Sequence, residues 1–173
     1  ALKKAGLALE TSLAKLIEKQ KLSAEAGKSI LGNTIFVNAI GQLASCDLVI
    51  EAVVENLEVK KSIFAELENS LGSHALLASN TSSLSITALS ATVNPKRQGR
   101  VVGLHFFNPP RYMYLVELIP CQSSDAMMLD HLEAFLVTYL GKGIVRAKDT
   151  PNFIANRIGV FSLLATMHHA KEF

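Results

Sequence analysis

DLVIEAVVENLEVKKSIFAELENSLGSHALLASN, residues 47–80, decides the fold class. Its opening, DLVIEAVVE (47–55), is a β-branched run of strand length bounded by Asp47 and Asn56, the pattern of a buried parallel strand. From Leu57 the spacing becomes helical through Ile63, Phe64, Leu67 and Leu71, and Gly72 is placed to close that helix as a C-cap. HALLASN (74–80) is again short and apolar, and it runs straight into the polar cluster Asn80-Thr81-Ser82-Ser83.

The same alternation extends in both directions. Residues 2–22 carry Leu2, Leu9, Leu13, Leu16 and Ile17 at helical spacing with lysines on the other face, which predicts an amphipathic helix followed by a polar loop. TIFVNAI (34–40) has the length and composition of a short strand. On the C-terminal side, VVGLH (101–105) and YLVELI (114–119) are two more strands separated by the rigid NPPR turn. Residues 125–140 form an amphipathic helix closed by Gly141 and Gly143, and GIVRA (143–147) is a brief strand. A last helix follows, with Thr150 as N-cap and Pro151 at its first position. Strands alternating with helices define an α/β layer structure with a mainly parallel sheet.

With 173 residues, 49 % of them hydrophobic, the chain can bury one sizeable core. Its 17 basic and 15 acidic side chains are spread along the sequence, with only a mild cluster at Lys3, Lys4, Lys15, Lys19 and Lys21, so there is no nucleic-acid footprint. No apolar run has the roughly 18 residues of a membrane span. Cys46 and Cys121 lack metal-site spacing, and His74, His131, His168 and His169 belong to no motif, so no metal is expected and a reducing compartment is the default.

In parallel α/β sheets, ligands bind beyond the carboxyl ends of the strands, so the residues after each apolar run carry the chemistry. Those residues are Glu55, Asn56 and Lys60; Ser79 to Ser83; and His105 with Asn108. GLHFFNPPRYMYLVELIP (103–120) places two ionisable groups, His105 and Glu117, in an almost wholly apolar run. Buried charges need partners. The two lie symmetrically about Arg111, so a reversal at NPPR sets them opposite each other on paired strands. A carboxylate on one ring nitrogen fixes the imidazole tautomer and leaves the other nitrogen as a general base, although spacing alone equally allows a buried structural pair. Out of context, Asn80-Thr81-Ser82 reads as a cap or turn, and Glu55 and Lys60 as surface charges.

ASNTSSLSI, GLHFFNPPRYM, LVELIP and DTPNFIANRIG closely resemble, in order and spacing, the 3-hydroxyacyl-CoA dehydrogenases of fatty acid β-oxidation, most of all their multifunctional members. The resemblance implies His105 as catalytic base and Glu117 as the acid that orients it. It also implies Ser82 and Asn108 near the substrate oxygen, and Asn156 at a further active-site position. Glu55, Lys60 and Asn80 would serve NAD, and Ser12 and Lys19 the CoA portion of the acyl-CoA substrate. A homo-oligomer or a larger multifunctional chain is implied, in bacterial cytoplasm or in mitochondria or peroxisomes.

Members of that family open with a strand, a GxGxxG turn and a helix that hold the pyrophosphate. Here Gly6 stands alone, and Gly141-Lys142-Gly143 lies between a helix and a strand. The expected fold is therefore an α/β, Rossmann-type, mainly parallel sheet lacking its first βα unit over 1–149, plus the first helix of a C-terminal helical domain over 150–173. Such a chain is expected to be marginally stable or self-associating. The rival readings are a non-catalytic acyl-CoA or protein-binding module and a dehydrogenase of another hydroxy acid.

Overall fold

A computed structural model describes residues 2–172, and the chain divides into two compact units, Ala1–Gln42 and Leu43–Phe173. The first unit is a helical pair. Helix α1 spans Leu2–Glu18 and buries Leu13. Helix α2 spans Ala24–Gly32, where a polar loop was expected; Ser23 caps it by accepting the Ala26 N–H at 3.1 Å. A side chain at Gly27 would meet Ile17 Cδ1 at 2.8 Å, so glycine there lets the two helices approach closely. The strand expected at 34–40 is absent. Residues 34–37 have no regular structure, and the Asn38 and Ala39 N–H groups donate to Gln42 Oε1 instead of to a strand, leading into a single 3₁₀ turn at Ile40–Leu43.

The second unit is built on a five-stranded sheet of order β1-β2-β3-β4-β5. The strands are β1 Leu48–Glu51, β2 Leu76–Ser79, β3 Val101–Phe106, β4 Leu115–Pro120 and β5 Gly143–Arg146. All neighbours are parallel except β3 and β4, which form an antiparallel pair. The connecting helices are α3 Leu57–Ser70, the short α4 Ile86–Ser90 and α5 Pro95–Gln98, α6 Ala126–Thr138 and α7 Ala155–His169.

Helix α6 lays Met128, Leu129, Leu132 and Leu136 against Ala78, Val102, Leu104, Val116 and Leu118 of the strands, and this cluster is the core of the unit. Ile86 of α4 covers Gly103, where a Cβ would stand 2.9 Å from both Ile86 and Ile119. Burying side chains of this size contributes about 1.5–3 kcal/mol each relative to exposure.

Three boundaries differ from expectation. Strand β1 stops at Glu51, because the Glu51 carboxylate takes the Val53 N–H at 2.6 Å and turns the chain before Glu55. Leu71, in extended conformation, is the C-cap of α3 in place of Gly72. Thr150 does not cap α7: Asn152 and Phe153 adopt positive φ (63° and 47°), so a turn intervenes and the helix begins at Ala155.

Candidate active site

The site is built at the carboxyl ends of β1, β2 and β3. The antiparallel register places His105 directly opposite Glu117, and Nδ1 lies 2.7 Å from Glu117 Oε2. Both side chains are buried, at 4 % and 1 % exposure. A carboxylate oxygen accepts, so Nδ1 is the donor of the pair, and Nε2 has no hydrogen-bond partner among the described residues. Phe107 and Phe153 flank the ring at centroid distances of 4.4 and 5.8 Å and wall it from water.

Glu117 has a second task. Its Oε1 accepts the N–H groups of Ile154 and Ala155, both at 2.9 Å, at the start of α7. No cap of its own serves that end, so a strand carboxylate satisfies the orphan donors and meets the positive end of the helix dipole. Helix α7 also brings Asn156, whose Nδ2 donates to the Ser82 carbonyl at 3.3 Å. Ser82 itself is exposed, and so is Asn108 on the loop after β3.

The second cluster lies at the ends of β1 and β2. Glu51 and Lys60 form a buried ion pair at 2.7 Å, with Ser79 Oγ donating to Glu51 at 2.6 Å. Lys60 also reaches Val53 O and Glu55 Oε2, each at 3.3 Å, so its three donor positions are taken. Lys60, expected to serve NAD, bridges Glu51 and Glu55 and so helps to hold Glu55 in place. Glu55 in turn accepts from Thr81 Oγ1 and from the Ser82 and Ser83 N–H groups, which ties down the 81–83 loop. Burial raises the Glu55 pKa, but the hydrogen bonds from Thr81, Ser82 and Lys60 outweigh it and hold the carboxyl below its usual range. Asn80 Oδ1 accepts the Phe106 N–H at 2.9 Å, leaving its Nδ2 as a fixed donor at the strand crest.

Ser12 lies on α1 and Lys19 in the turn that follows it, in the other unit. The Ser12 hydroxyl bonds its own helix at Ala8 O, and Lys19 is exposed.

The Glu55 carboxylate and the free amide donor of Asn80, both beyond the strand ends, are chemically suited to the ribose and cationic ring of a nicotinamide riboside. The chain's glycines form no GxGxxG turn for a pyrophosphate, so the residues present fit that end of NAD alone.

Glu51 was missed by sequence reasoning, as was Asp149, which accepts from Ser85 Oγ and the Ile86 and Thr87 N–H groups. A carboxylate inside the apolar run DLVIEAVV was a usable signal for Glu51, of the same kind that exposed Glu117.

A mainly parallel open α/β sheet with its polar side chains gathered beyond the strand ends has the layout of a dinucleotide-binding domain. The sequence profile described as 3-hydroxyacyl-CoA dehydrogenase, NAD binding domain, matches residues 1–150, and the chain belongs to that family. It is 46 % identical over 126 residues to a probable 3-hydroxyacyl-CoA dehydrogenase of Bacillus subtilis, covering 73 % of this chain and 16 % of the relative. It is 41 % identical over 156 residues to the mitochondrial hydroxyacyl-coenzyme A dehydrogenase of Sus scrofa, covering 87 % of this chain and 49 % of that protein. Among solved structures, M. tuberculosis FadB2 superposes with a TM-score of 0.91 at 35 % identity, over 99 % of this chain and 60 % of FadB2. The 3-hydroxybutyryl-CoA dehydrogenase of Escherichia coli K12 superposes with a TM-score of 0.86 at 41 % identity, over 91 % of this chain and 33 % of its own.

Proposed function

We propose that this chain carries the acid/base centre and the nicotinamide-side contacts of an L-3-hydroxyacyl-CoA dehydrogenase acting in fatty acid β-oxidation. The observation that carries the reading is the buried His105–Glu117 pair, its imidazole held through Nδ1 and its Nε2 left without a partner. Nε2 takes the proton of the 3-hydroxyl as the C3 carbonyl forms, and Glu117 stabilises the imidazolium that results. NAD, when bound, supplies the hydride acceptor for C3. Ser82 and Asn108 are assigned to holding the substrate oxygen, Asn156 to a further active-site position, Glu55, Lys60 and Asn80 to NAD, and Ser12 and Lys19 to the CoA portion.

Residues 1–149 are read as a partial dinucleotide-binding domain and 150–173 as the start of a helical one. A homo-oligomer or membership of a larger multifunctional chain fits this reading. A Rickettsia prowazekii relative 42 % identical over 128 residues bears the name putative fatty acid oxidation complex trifunctional enzyme. The compartment proposed is bacterial cytoplasm, or mitochondria or peroxisomes in a eukaryote.

The test is NADH oxidation with acetoacetyl-CoA. Turnover that falls about 10²–10⁴-fold in His105→Ala is expected for loss of a general base. Equal turnover in that variant overturns the assignment of His105. A folded chain that binds the thioester without NADH, and turns nothing over, supports the binding-module reading instead.

A further inference from the structure

The NPPRYM loop, residues 108–113, leaves β3 three residues after His105 and carries Asn108, and its side chains are largely exposed: Tyr112 by 77 % and Met113 by 41 %. A loop that presents so little surface to the core needs another anchor to keep one conformation. That anchor is Lys142. Its side chain is 9 % exposed, and Nζ donates to the carbonyls of Pro110 and, at 2.8 Å, Met113. Among the described residues no carboxylate lies within ion-pairing distance of it. A buried ammonium without an acid partner is costly, and here its charge is spent wholly on the backbone of one loop.

The neighbouring residues close the same joint. The Gly143 N–H donates to Tyr114 O at 3.0 Å, and a Cβ on Gly143 would stand 2.2 Å from the Tyr114 ring, so the strand after Lys142 is fitted against the end of the loop. The Tyr112 and Met113 N–H groups both donate to Pro109 O at 3.0 Å, making a tight inner turn whose outward carbonyls are those that Lys142 takes.

We infer that Lys142 is a positioning residue: by clamping the carbonyls of Pro110 and Met113 it fixes the Asn108–Met113 loop, and with it the place of Asn108, on the connection that leaves the strand of His105. The catalytic part of this statement rests on the function proposed above. The clamp itself does not.

The test is amide hydrogen exchange on the chain as it stands, comparing wild type, Lys142→Met and Lys142→Arg. Arginine keeps the charge and the donors; methionine keeps the length and loses both. In Lys142→Met the Tyr112 and Met113 amides are expected to exchange about tenfold faster or more, while amides of β2 and β3 stay within about twofold of wild type. Lys142→Arg should recover most of the protection. Unchanged loop exchange in Lys142→Met, or uniform acceleration throughout the sheet in both variants, overturns the proposal. Should Lys142→Met not fold, Lys142→Gln takes its place with the same criteria.

Acetoacetyl-CoA turnover is read on the same samples. A fall in kcat with the KM for NADH unchanged is expected for a misplaced Asn108, and unchanged kcat in a variant whose loop is loosened overturns the positioning role. No turnover in wild type sinks the proposed function, while the exchange result still decides the clamp.

Discussion

Replacing Glu117 by glutamine leaves one acceptor oxygen where the structure uses two. Oε2 serves His105 Nδ1, and Oε1 serves the Ile154 and Ala155 N–H groups. A carboxamide can satisfy only one set, so either the imidazole tautomer is lost or the helix end goes uncapped. Glu117→Gln should lower the stability of the chain by about 1–3 kcal/mol in urea unfolding, the cost of an unsatisfied buried donor. It should also lower acetoacetyl-CoA turnover by about 10² or more, as other wrong-tautomer variants do; unchanged turnover would make the pair purely structural. Glu55 predicts a pH effect. Its native pKa is depressed, so the stability it contributes is complete above the ordinary carboxylate value of about 4.3 and is lost as pH falls from there through the native value. Melting temperature should therefore drop more steeply below about pH 5 in wild type than in Glu55→Gln, and parallel curves would refute the anchoring of the 81–83 loop. His105 and Glu117 were legible in the sequence because two ionisable groups in an apolar run, equidistant from a turn, leave few arrangements. The pairing of Lys60 with Glu51 was not: helical position says nothing about which way a long side chain bends, and Glu51 lay inside what reads as continuous strand.

Secondary elements were legible wherever burial imposed a period. The strands at 47–55, 74–80, 101–105, 114–119 and 143–147 all exist, three with trimmed ends, that at 101–105 one residue longer and that at 114–119 moved on by one, because each faces the core or a neighbouring strand. The segment 34–40 has the same composition but no ladder, and β-propensity without a partner strand does not make one. The start of α7 was misplaced for a tertiary reason: its cap comes from Glu117, 37 residues before Ile154, and no local signal reports it. Asp149 works in the same way for α4, holding the Ser85 hydroxyl and the Ile86 and Thr87 N–H groups from the connection between β5 and α7. Asp149→Ala should cost about 1–2 kcal/mol, the range of a lost N-cap, measured by urea unfolding; a loss under about 0.3 kcal/mol would show that water replaces the latch.

At the scale of the molecule, helix α7 buries none of its residues and exposes Ile158, Phe161, Leu164 and Met167 at 55–75 %. The outer edge of β1 has no strand partner among the described residues. Open edges and contiguous apolar faces recruit other chains. Sedimentation should show a weight-average mass that rises with concentration, lowered by Phe161→Glu; a monomer at all concentrations would refute this. The sheet's parallel character was readable from strand–helix alternation, whereas the division after Gln42 was not, since no change of composition marks it. The shared carboxylate of Glu117 also sets an order of events during synthesis. His105 and Glu117 leave the ribosome well before Ala155, and at about 5–20 residues per second the 38 residues between Glu117 and Ala155 take about two to eight seconds. Through that interval both members of the pair have been made, but one oxygen of Glu117 still awaits the helix. The reactive centre therefore matures from back to front, and a nascent chain arrested before residue 155 would carry its base on a half-held support.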